Sequence, residues 1–308
     1  MMLLEDIDYA YYHDNVLPPR PQYKNFVEYV YDLDSEKARS MLVKEVESLD
    51  FFNYFTFDGT RVPQVTHRLS LGIGFPTTLP SGMSYATVIL TVWAIVAAHV
   101  EGHDHFLFNI MCGGRDAEFT GVDSLMGPTL TIAPLAFNVS HNSTIRRNVE
   151  TVQEGVDEAA SIQHSPELGD KLQRLLASAP LIVVNPPDDY VEIPTKHLGL
   201  VRSRAEVRPS ADALIMNFCL QTGNTGVDLI IEIDPAFFPV DKAIRYFGYL
   251  EQAFMHVFSP GGLDTTVAEM SFGSGIPTTS VAISTDQSWG TSTIGGSLPP
   301  PSADSVSS

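Results

Sequence analysis

The stretch that decides the fold runs from residue 85 to residue 139. It opens with YATVILTVWAIVAAHVEGHDHFLFNIMCGGRD (85–116) and resumes with GVDSLMGPTLTIAPLAFNV (121–139). Apolar side chains surround most of the predicted helix over 83–100, so this helix should be buried on most of its sides. Ser84, Thr87 and Thr91 form a narrow polar stripe along it, and Ser81 is a candidate N-cap residue.

Helix and strand patterns alternate on both sides of this stretch. We predict helices over 24–49, 143–162, 167–177 and 240–258, strands over 61–70, 106–112, 129–139 and 181–185, and a β-hairpin over 213–220 and 227–233. Strands interleaved with helices place the chain in the α/β class.

The composition changes after Phe272. Residues 273–308 are almost all Gly, Ser, Thr, Pro and small apolar residues, with no Lys or Arg. Such a segment cannot bury enough apolar surface to offset the entropy of ordering it. We therefore expect a globular body over 1–272 and a disordered tail or linker over 273–308.

Charge and composition exclude several functions. The formal net charge of −19 repels phosphate backbones and anionic membrane surfaces, so we expect neither nucleic-acid nor membrane binding. The longest uncharged apolar run, 85–98, is shorter than the roughly 20 residues that span a bilayer. Cys112 and Cys219 lie in apolar runs, as buried free thiols do in a reducing compartment. Because the acidic N-terminus does not resemble a signal peptide, we expect a cytoplasmic protein.

Three histidines near the end of the central helix raise the question of a metal. His99 and His103 are four residues apart, and His105 follows, so a helix could bring two of them onto one ligand face. Gly102 is expected to end the helix and to separate the side chains. We favour turn residues at a helix–strand junction over a metal site, and no nucleophile elbow or phosphate-binding loop is present.

Several motifs together resemble the second half of a nonribosomal peptide synthetase condensation domain. Gly113-Gly114-Arg115 is similar to the family's Ser-Gly-Arg, and Gly127-Pro128-Thr129 with Pro134 matches the Gly-Pro-Thr-x-x-x-x-Pro of fungal-type members. Tyr23-Lys24-Asn25-Phe26 resembles the family's Tyr-x-Asp-Phe motif, with Asn25 in place of Asp. The preceding Pro18-Pro19 also fits, and the resemblance covers residues 3–272.

The resemblance implies a chloramphenicol-acetyltransferase-like lobe, a mixed sheet flanked by helices. Whole domains have two such lobes around a tunnel, which the phosphopantetheine arms of carrier proteins enter from opposite faces. Catalysis there rests on a His-His-x-x-x-Asp-Gly motif of the upstream lobe. None of the nine histidines here is followed four residues later by Asp, so we expect the downstream lobe alone, with no catalytic residue and no directly bound cofactor.

The resemblance also assigns site residues. The tunnel wall or lobe interface is expected to contain Arg115, Gly127, Pro128, Thr129 and Thr131. Arg115 is the match for the arginine that pairs with the motif's Asp. Alternatively, Arg115 caps a strand and pairs with Asp116 or Asp123. Without a partner lobe, the face near the central helix and the Gly127-Pro128-Thr129 turn should present an apolar patch.

Three functions remain open from the sequence. The chain is a truncated or remnant part of a peptide synthetase that forms amide bonds in secondary-metabolite biosynthesis. Alternatively, it is a non-catalytic docking module for carrier proteins, or another acyltransferase of the same superfamily. The third is disfavoured, because residues 271–275 do not match the Asp-Phe-Gly-Trp-Gly loop of plant-type acyltransferases. The expected partners are carrier protein domains and an upstream lobe or adjacent synthetase domains.

Overall fold

A computed structural model describes residues 6–7, 9–10, 19–33, 40, 50–56, 61–115, 117–164, 176–185, 190–195, 199–204 and 212–285. Its helices are α1 (Tyr23–Tyr31), α2 (Tyr85–Glu101), α3 (Ile145–Ile162) and α4 (Val240–Val257). Its strands are β1 (His67–Gly74), β2 (His105–Cys112), β3 (Thr131–Asn138), β4 (Leu181–Val184), β5 (Tyr190–Thr195), β6 (Gly199–Arg204), β7 (Leu214–Leu220), β8 (Gly226–Ile233) and β9 (Ala282–Ser284).

Seven of these strands form one mixed sheet in the order β3-β2-β4-β7-β8-β1-β9. Strands β2, β4 and β7 run parallel, and the other pairings in the sheet are antiparallel. Because side chains alternate along a strand, Leu69, Leu71 and Ile73 of β1 enter the main core with the helices. The α/β class predicted from the sequence is confirmed.

Helix α2 lies at the centre of the core, and all its residues from Thr87 to Ala98 are buried. It begins at Tyr85, with Ser84 and not Ser81 in the N-cap position, because Gly82 has a φ of 90° that a right-handed helix does not allow. The polar stripe faces α3, since the Thr87 hydroxyl is 2.5 Å from Gln153 Oε1.

Helix α4 packs against α2, and a buried polar cluster joins the two. Glu101, the last residue of α2, accepts hydrogen bonds from Lys242 Nζ at 2.8 Å and from the Tyr246 hydroxyl at 2.5 Å. Burial raises the pKa of Tyr246 well above its usual value, and the nearby Tyr54 and Glu101 raise it further. The hydroxyl therefore stays protonated and donates to the carboxylate.

The folded body continues past the boundary predicted at Phe272. The backbone N–H and hydroxyl of Thr278 each donate to Glu251 of α4 at 2.7 Å, and β9 pairs with β1. The predicted boundary is therefore too early, because polar contacts with α4 hold residues that have little apolar surface to bury. Residues 286–308 lie outside the described residues, and their disorder stays a prediction.

Other boundaries differ in smaller ways. The first strand begins at His67, since residues 61–66 have no regular secondary structure. The β5–β6 hairpin was not predicted. Of the helix predicted over 24–49, the structure describes α1 and a few further residues, and most of the helix predicted over 167–177 lies outside the described residues. No described helix is both long and apolar enough to cross a bilayer.

Candidate functional site

Residues 113–130 connect β2 to β3 and contain most of the predicted site; we call them the glycine-rich loop. Arg115 lies near its start and is half-buried. Its Nη1 donates to the carbonyl oxygens of Val122 at 2.6 Å and Leu125 at 3.1 Å. Arg115 therefore ties the first part of the loop to the short 3-10 helix Val122–Ser124. Of the two acids proposed as local partners, Asp116 lies outside the described residues.

The two ends of the glycine-rich loop are in direct contact. The Thr129 hydroxyl donates to the Gly113 carbonyl at 2.8 Å, and Thr129 is buried. A Cβ at Gly114 would lie 1.8 Å from the Thr129 carbonyl oxygen, and its φ of 66° is left-handed, so only glycine fits here. Just beyond the loop, the Thr131 hydroxyl donates to the Gln163 carbonyl at 2.6 Å.

The Gly127-Pro128-Thr129 turn rests against the first residue of α1. The Tyr23 hydroxyl donates to the Pro128 carbonyl at 2.8 Å. A Cβ at Gly127 would lie 2.2 Å from Tyr23 Cδ2, so the absence of a side chain lets the aromatic ring approach the backbone. In the sequence, the Tyr23–Phe26 motif and the Gly127-Pro128-Thr129 motif are two separate parts of the family resemblance. The structure brings them into contact.

Residues 20–26, which we call the N-terminal anchor, hold other points of the same loop. Arg20 forms an ion pair with the buried Asp6 at 2.6 Å, and its Nη1 donates to the Ser124 carbonyl at 3.2 Å. Pro21 lies against Gly121, where a Cβ would be 2.7 Å from the proline ring. Sequence reasoning missed Arg20 and Pro21, because neither belongs to a motif that indicates a site.

Phe26 is the apolar centre of the contact between anchor and loop. It is 3% exposed and forms a small cluster with Val122 and Leu125, separate from the main core. Its ring meets Phe119 edge-on at 5.4 Å and His164 edge-on at 5.3 Å. Tyr23 and Phe26 are three residues apart, so both lie on the face of α1 that meets the loop.

The surface beside the turn carries exposed apolar side chains. Leu130 is 63% exposed and Ile132, on β3, is 50% exposed. The central helix does not contribute to this surface, because the described chain buries α2 from Thr87 to Ala98. Two apolar side chains are thus exposed beside the turn, the described part of the central helix adds nothing to them, and the large apolar patch stays a prediction.

The three histidines near the end of α2 do not converge. Gly102 ends the helix in a left-handed conformation, as predicted. His99 stacks on Phe272 at 4.3 Å, and burial lowers its pKa. His103 contacts the backbone of His105. Within the described residues, no group of three His, Cys, Asp or Glu side chains could hold a metal ion. Cys112 and Cys219 form no disulfide and are half-buried, not fully buried as predicted.

The structure resembles solved condensation domains. The chain matches the first condensation domain of the calcium-dependent antibiotic synthetase, bound to a substrate analogue, over 88% of its own length with a TM-score of 0.61 and 19% identity. It matches a structure of the starter condensation domain of the rhizomide synthetase RzmA over 87% of its length, with a TM-score of 0.64 and 10% identity. The chain has a condensation-domain fold.

Sequence relatives agree with this fold assignment. The chain is 22% identical over 260 residues to cyclochlorotine synthetase of Talaromyces islandicus, and 23% identical over 186 residues to nonribosomal peptide synthetase sidD of Aspergillus fumigatus. These alignments cover 78% and 56% of the chain. The suspected relationship to fungal-type condensation domains is confirmed. No sequence profile of a known family matches the chain.

The chain spans only part of the proteins it resembles. It covers 4% of cyclochlorotine synthetase and 8% of sidD. It covers 62% of the solved condensation domain of the calcium-dependent antibiotic synthetase. The condensation-domain fold is therefore shared over most of this chain but not over the whole of that domain.

Proposed function

We propose that the chain forms the downstream lobe of a condensation domain in a fungal-type nonribosomal peptide synthetase. In this role it contributes to amide-bond formation between substrates held on carrier proteins, in secondary-metabolite biosynthesis. The observation that carries the proposal is the alignment: 88% of the chain matches 62% of a solved condensation domain. We infer from this partial coverage that the chain corresponds to one lobe with some adjoining residues of the domain.

The chemistry explains why a second lobe is needed. Amide formation requires an amine held against a thioester, and orienting the two supplies much of the acceleration. A histidine would orient or deprotonate the amine and stabilise the developing charge. No histidine of these 308 residues has the His-His-x-x-x-Asp-Gly context, so we assign that role to a different polypeptide segment.

The glycine-rich loop is the part of the lobe that we assign to the tunnel and lobe interface. Gly127, Pro128, Thr129 and Thr131 form one wall, with the exposed Leu130 beside them. Arg115 holds this loop through two carbonyl groups. A planar guanidinium has five N–H donors, so Arg115 can also donate hydrogen bonds to a carboxylate of the other lobe.

The cofactor and the partners follow from the same proposal. The chain itself would bind no cofactor, and the phosphopantetheine arms would arrive on partner carrier proteins. Adjacent synthetase domains would be the other partners. A cytoplasmic location is also part of the proposal, and it fits two cysteines that form no disulfide.

Reconstitution tests the proposed function. The chain is incubated with aminoacyl- and peptidyl-loaded carrier proteins, with and without an upstream lobe of a related fungal synthetase, and amide product is measured by mass spectrometry. We expect product above background only when the upstream lobe is present. Product from the chain alone would contradict the assignment of the catalytic histidine to another segment.

A matched control separates catalysis from docking. An upstream lobe in which the second histidine of the motif is replaced by alanine should give no product. Carrier proteins that bind the chain, with no product when the intact lobe is added, would support the alternative of a docking module.

A further inference from the structure

The contact between Tyr23 and the Gly127-Pro128-Thr129 turn joins two distant parts of the chain. Tyr23 and Pro128 are 105 residues apart, and the hydroxyl–carbonyl distance is 2.8 Å. The turn has no strand or helix of its own, because β3 begins only at Thr131. Its position is therefore set by what it touches.

Tyr23 is itself fixed by the start of α1 and by Phe26. A residue at the start of a helix has a defined backbone direction, and Phe26 anchors that helix in the small aromatic cluster. Tyr23 and Phe26 have ring centroids 6.0 Å apart. The ring that supports the turn thus packs against the cluster.

Within the turn, the Thr129 hydroxyl also donates to the Gly113 carbonyl at 2.8 Å, while the arginine contacts hold the loop before the turn. Arg115 bonds the carbonyls of Val122 and Leu125, and Arg20 bonds that of Ser124. These three carbonyls precede the turn. Tyr23 is the anchor residue that reaches Pro128 itself, the residue before the buried Thr129 and the exposed Leu130.

We propose that Tyr23 is a positioning residue for this turn, and that it sets where Leu130 is presented to the partner lobe, next to Ile132 of β3. The second half of this statement rests on the proposed function, and the first half does not. The Tyr23 hydroxyl holds the Pro128 carbonyl by a hydrogen bond. The Tyr23 ring packs against Gly127 and so sets the distance between this residue and α1. The partner would meet the turn as a preformed surface, which lowers the ordering cost of association.

Hydrogen exchange on the full chain tests the first half. Tyr23→Phe removes only the hydroxyl, and the loss of one hydrogen bond should speed amide exchange over 126–131 about two- to tenfold. Exchange in α2 and α4 should not change. Tyr29→Phe is the matched control, since Tyr29 lies on the same helix, contacts the Phe26 ring as Tyr23 does, and also contacts Phe119. Equal exchange at the turn in Tyr23→Phe and wild type would overturn the proposal.

A second pair of variants guards against a general loss of folding. Gly127→Ala places a methyl group where the Tyr23 ring lies, so it should disrupt the turn strongly in the wild-type chain. In a Tyr23→Ala background the ring is gone, so adding Gly127→Ala should change exchange at the turn less, and the part that remains is the backbone strain at its φ of 157°. Additive effects of the two substitutions would contradict a direct ring–turn contact.

Affinity for an upstream lobe tests the second half. We expect Tyr23→Phe to weaken binding of an upstream lobe of a related fungal synthetase about two- to tenfold with an unchanged melting temperature. Tyr29→Phe should bind as the wild type does. A wild-type chain that does not bind the lobe would count against the proposed function, and a Tyr23→Phe chain that exchanges faster but binds equally well would count against the presentation role.

Discussion

The two edges of the seven-stranded sheet are finished by different means. At one edge, β3 contains Pro134, which suits an edge strand because it needs no partner for a backbone N–H. Helix α3 lies close beside it: a Cβ at Gly155 would be 2.9 Å from Leu135 Cδ1. Apolar packing and a missing donor therefore protect this edge.

At the other edge, β9 is three exposed residues long and is held by hydrogen bonds. We call residues 272–284 the C-terminal strap, since they cross α4 before β9 pairs with β1. The buried Glu251 of α4 accepts from Thr278 and from the Thr279 hydroxyl at 2.6–2.7 Å. A Cβ at Gly248 would lie 2.2 Å from the Gly275 carbonyl oxygen, which explains a glycine within a helix.

The comparison shows that one domain can hold one edge of its sheet by burial of apolar side chains and the other edge by charge-assisted hydrogen bonds. The β3 edge and the loop that leads to it should respond to loss of apolar surface. The C-terminal strap should respond to loss of a single carboxylate. The following substitutions test this difference, beginning with the largest expected effect.

Phe26→Ala should have the largest effect. It removes the centre of the small cluster, and emptying a buried phenylalanine site costs about 3–5 kcal/mol. Because this cluster is separate from the main core, α1 and residues 117–125 should lose hydrogen-exchange protection while α2 keeps it. The strap should be unaffected.

The matched control for Phe26→Ala is Tyr31→Ala on the same helix. Tyr31 is 76% exposed, so its removal should change exchange little. If Phe26→Ala leaves residues 117–125 as protected as in the wild type, the anchor does not hold the loop.

Glu251→Gln should have a smaller and strictly local effect. One carboxylate oxygen becomes a donor that faces other donors, and hydrogen bonds to a charged group are worth about 1.5–3 kcal/mol. Limited proteolysis should cut residues 276–285 sooner, while the loop at the other edge stays protected. Glu269→Gln is the control, since Glu269 also accepts from a threonine N–H and hydroxyl, within its own capping box.

Acid should release the strap in the same way. Burial opposes ionisation of Glu251, but the bonds from Thr279 and Thr278 outweigh it, so its pKa is lower than usual. A group with a lowered folded-state pKa stabilises fully above its unfolded pKa, and this contribution is lost as the pH falls through the lowered value. Faster cleavage of the strap at low pH in the wild type, but not in Glu251→Gln, would agree with this sign.

The sequence predicted the first edge better than the second for a physical reason. Hydrophobic periodicity marks elements that bury apolar faces, and it located α2, β2, α3 and α4 within a few residues. In the strap, Phe272 and Val281 pack partly against the main core, which is too little surface to give a periodic pattern, so composition indicated disorder from residue 273. Glu251 of α4 and Gly248, three residues before it, contact the strap. In the sequence, neither residue shows which segment it will contact.

The role of the candidate site residues stays a prediction, and the structure shows only where these residues lie. Arg115, Gly127, Pro128 and Thr129 do lie in one loop, and Thr131 follows it directly. The residues that position this loop were missed, because a tyrosine hydroxyl and an arginine can bond any carbonyl. Only the three-residue spacing of Tyr23 and Phe26 hinted that one helix face meets a partner segment.

Sedimentation velocity with a partner lobe tests the central claim most directly. The full chain is mixed with an upstream lobe of a related fungal synthetase, and a complex of one copy of each should form. Ile132→Asp should weaken that complex at least about thirtyfold, as loss of an interface hot spot does. Met255→Asp, a change at an apolar residue on α4 that is 47% exposed, should have no such effect. A wild-type chain that sediments alone beside the added lobe would contradict the account.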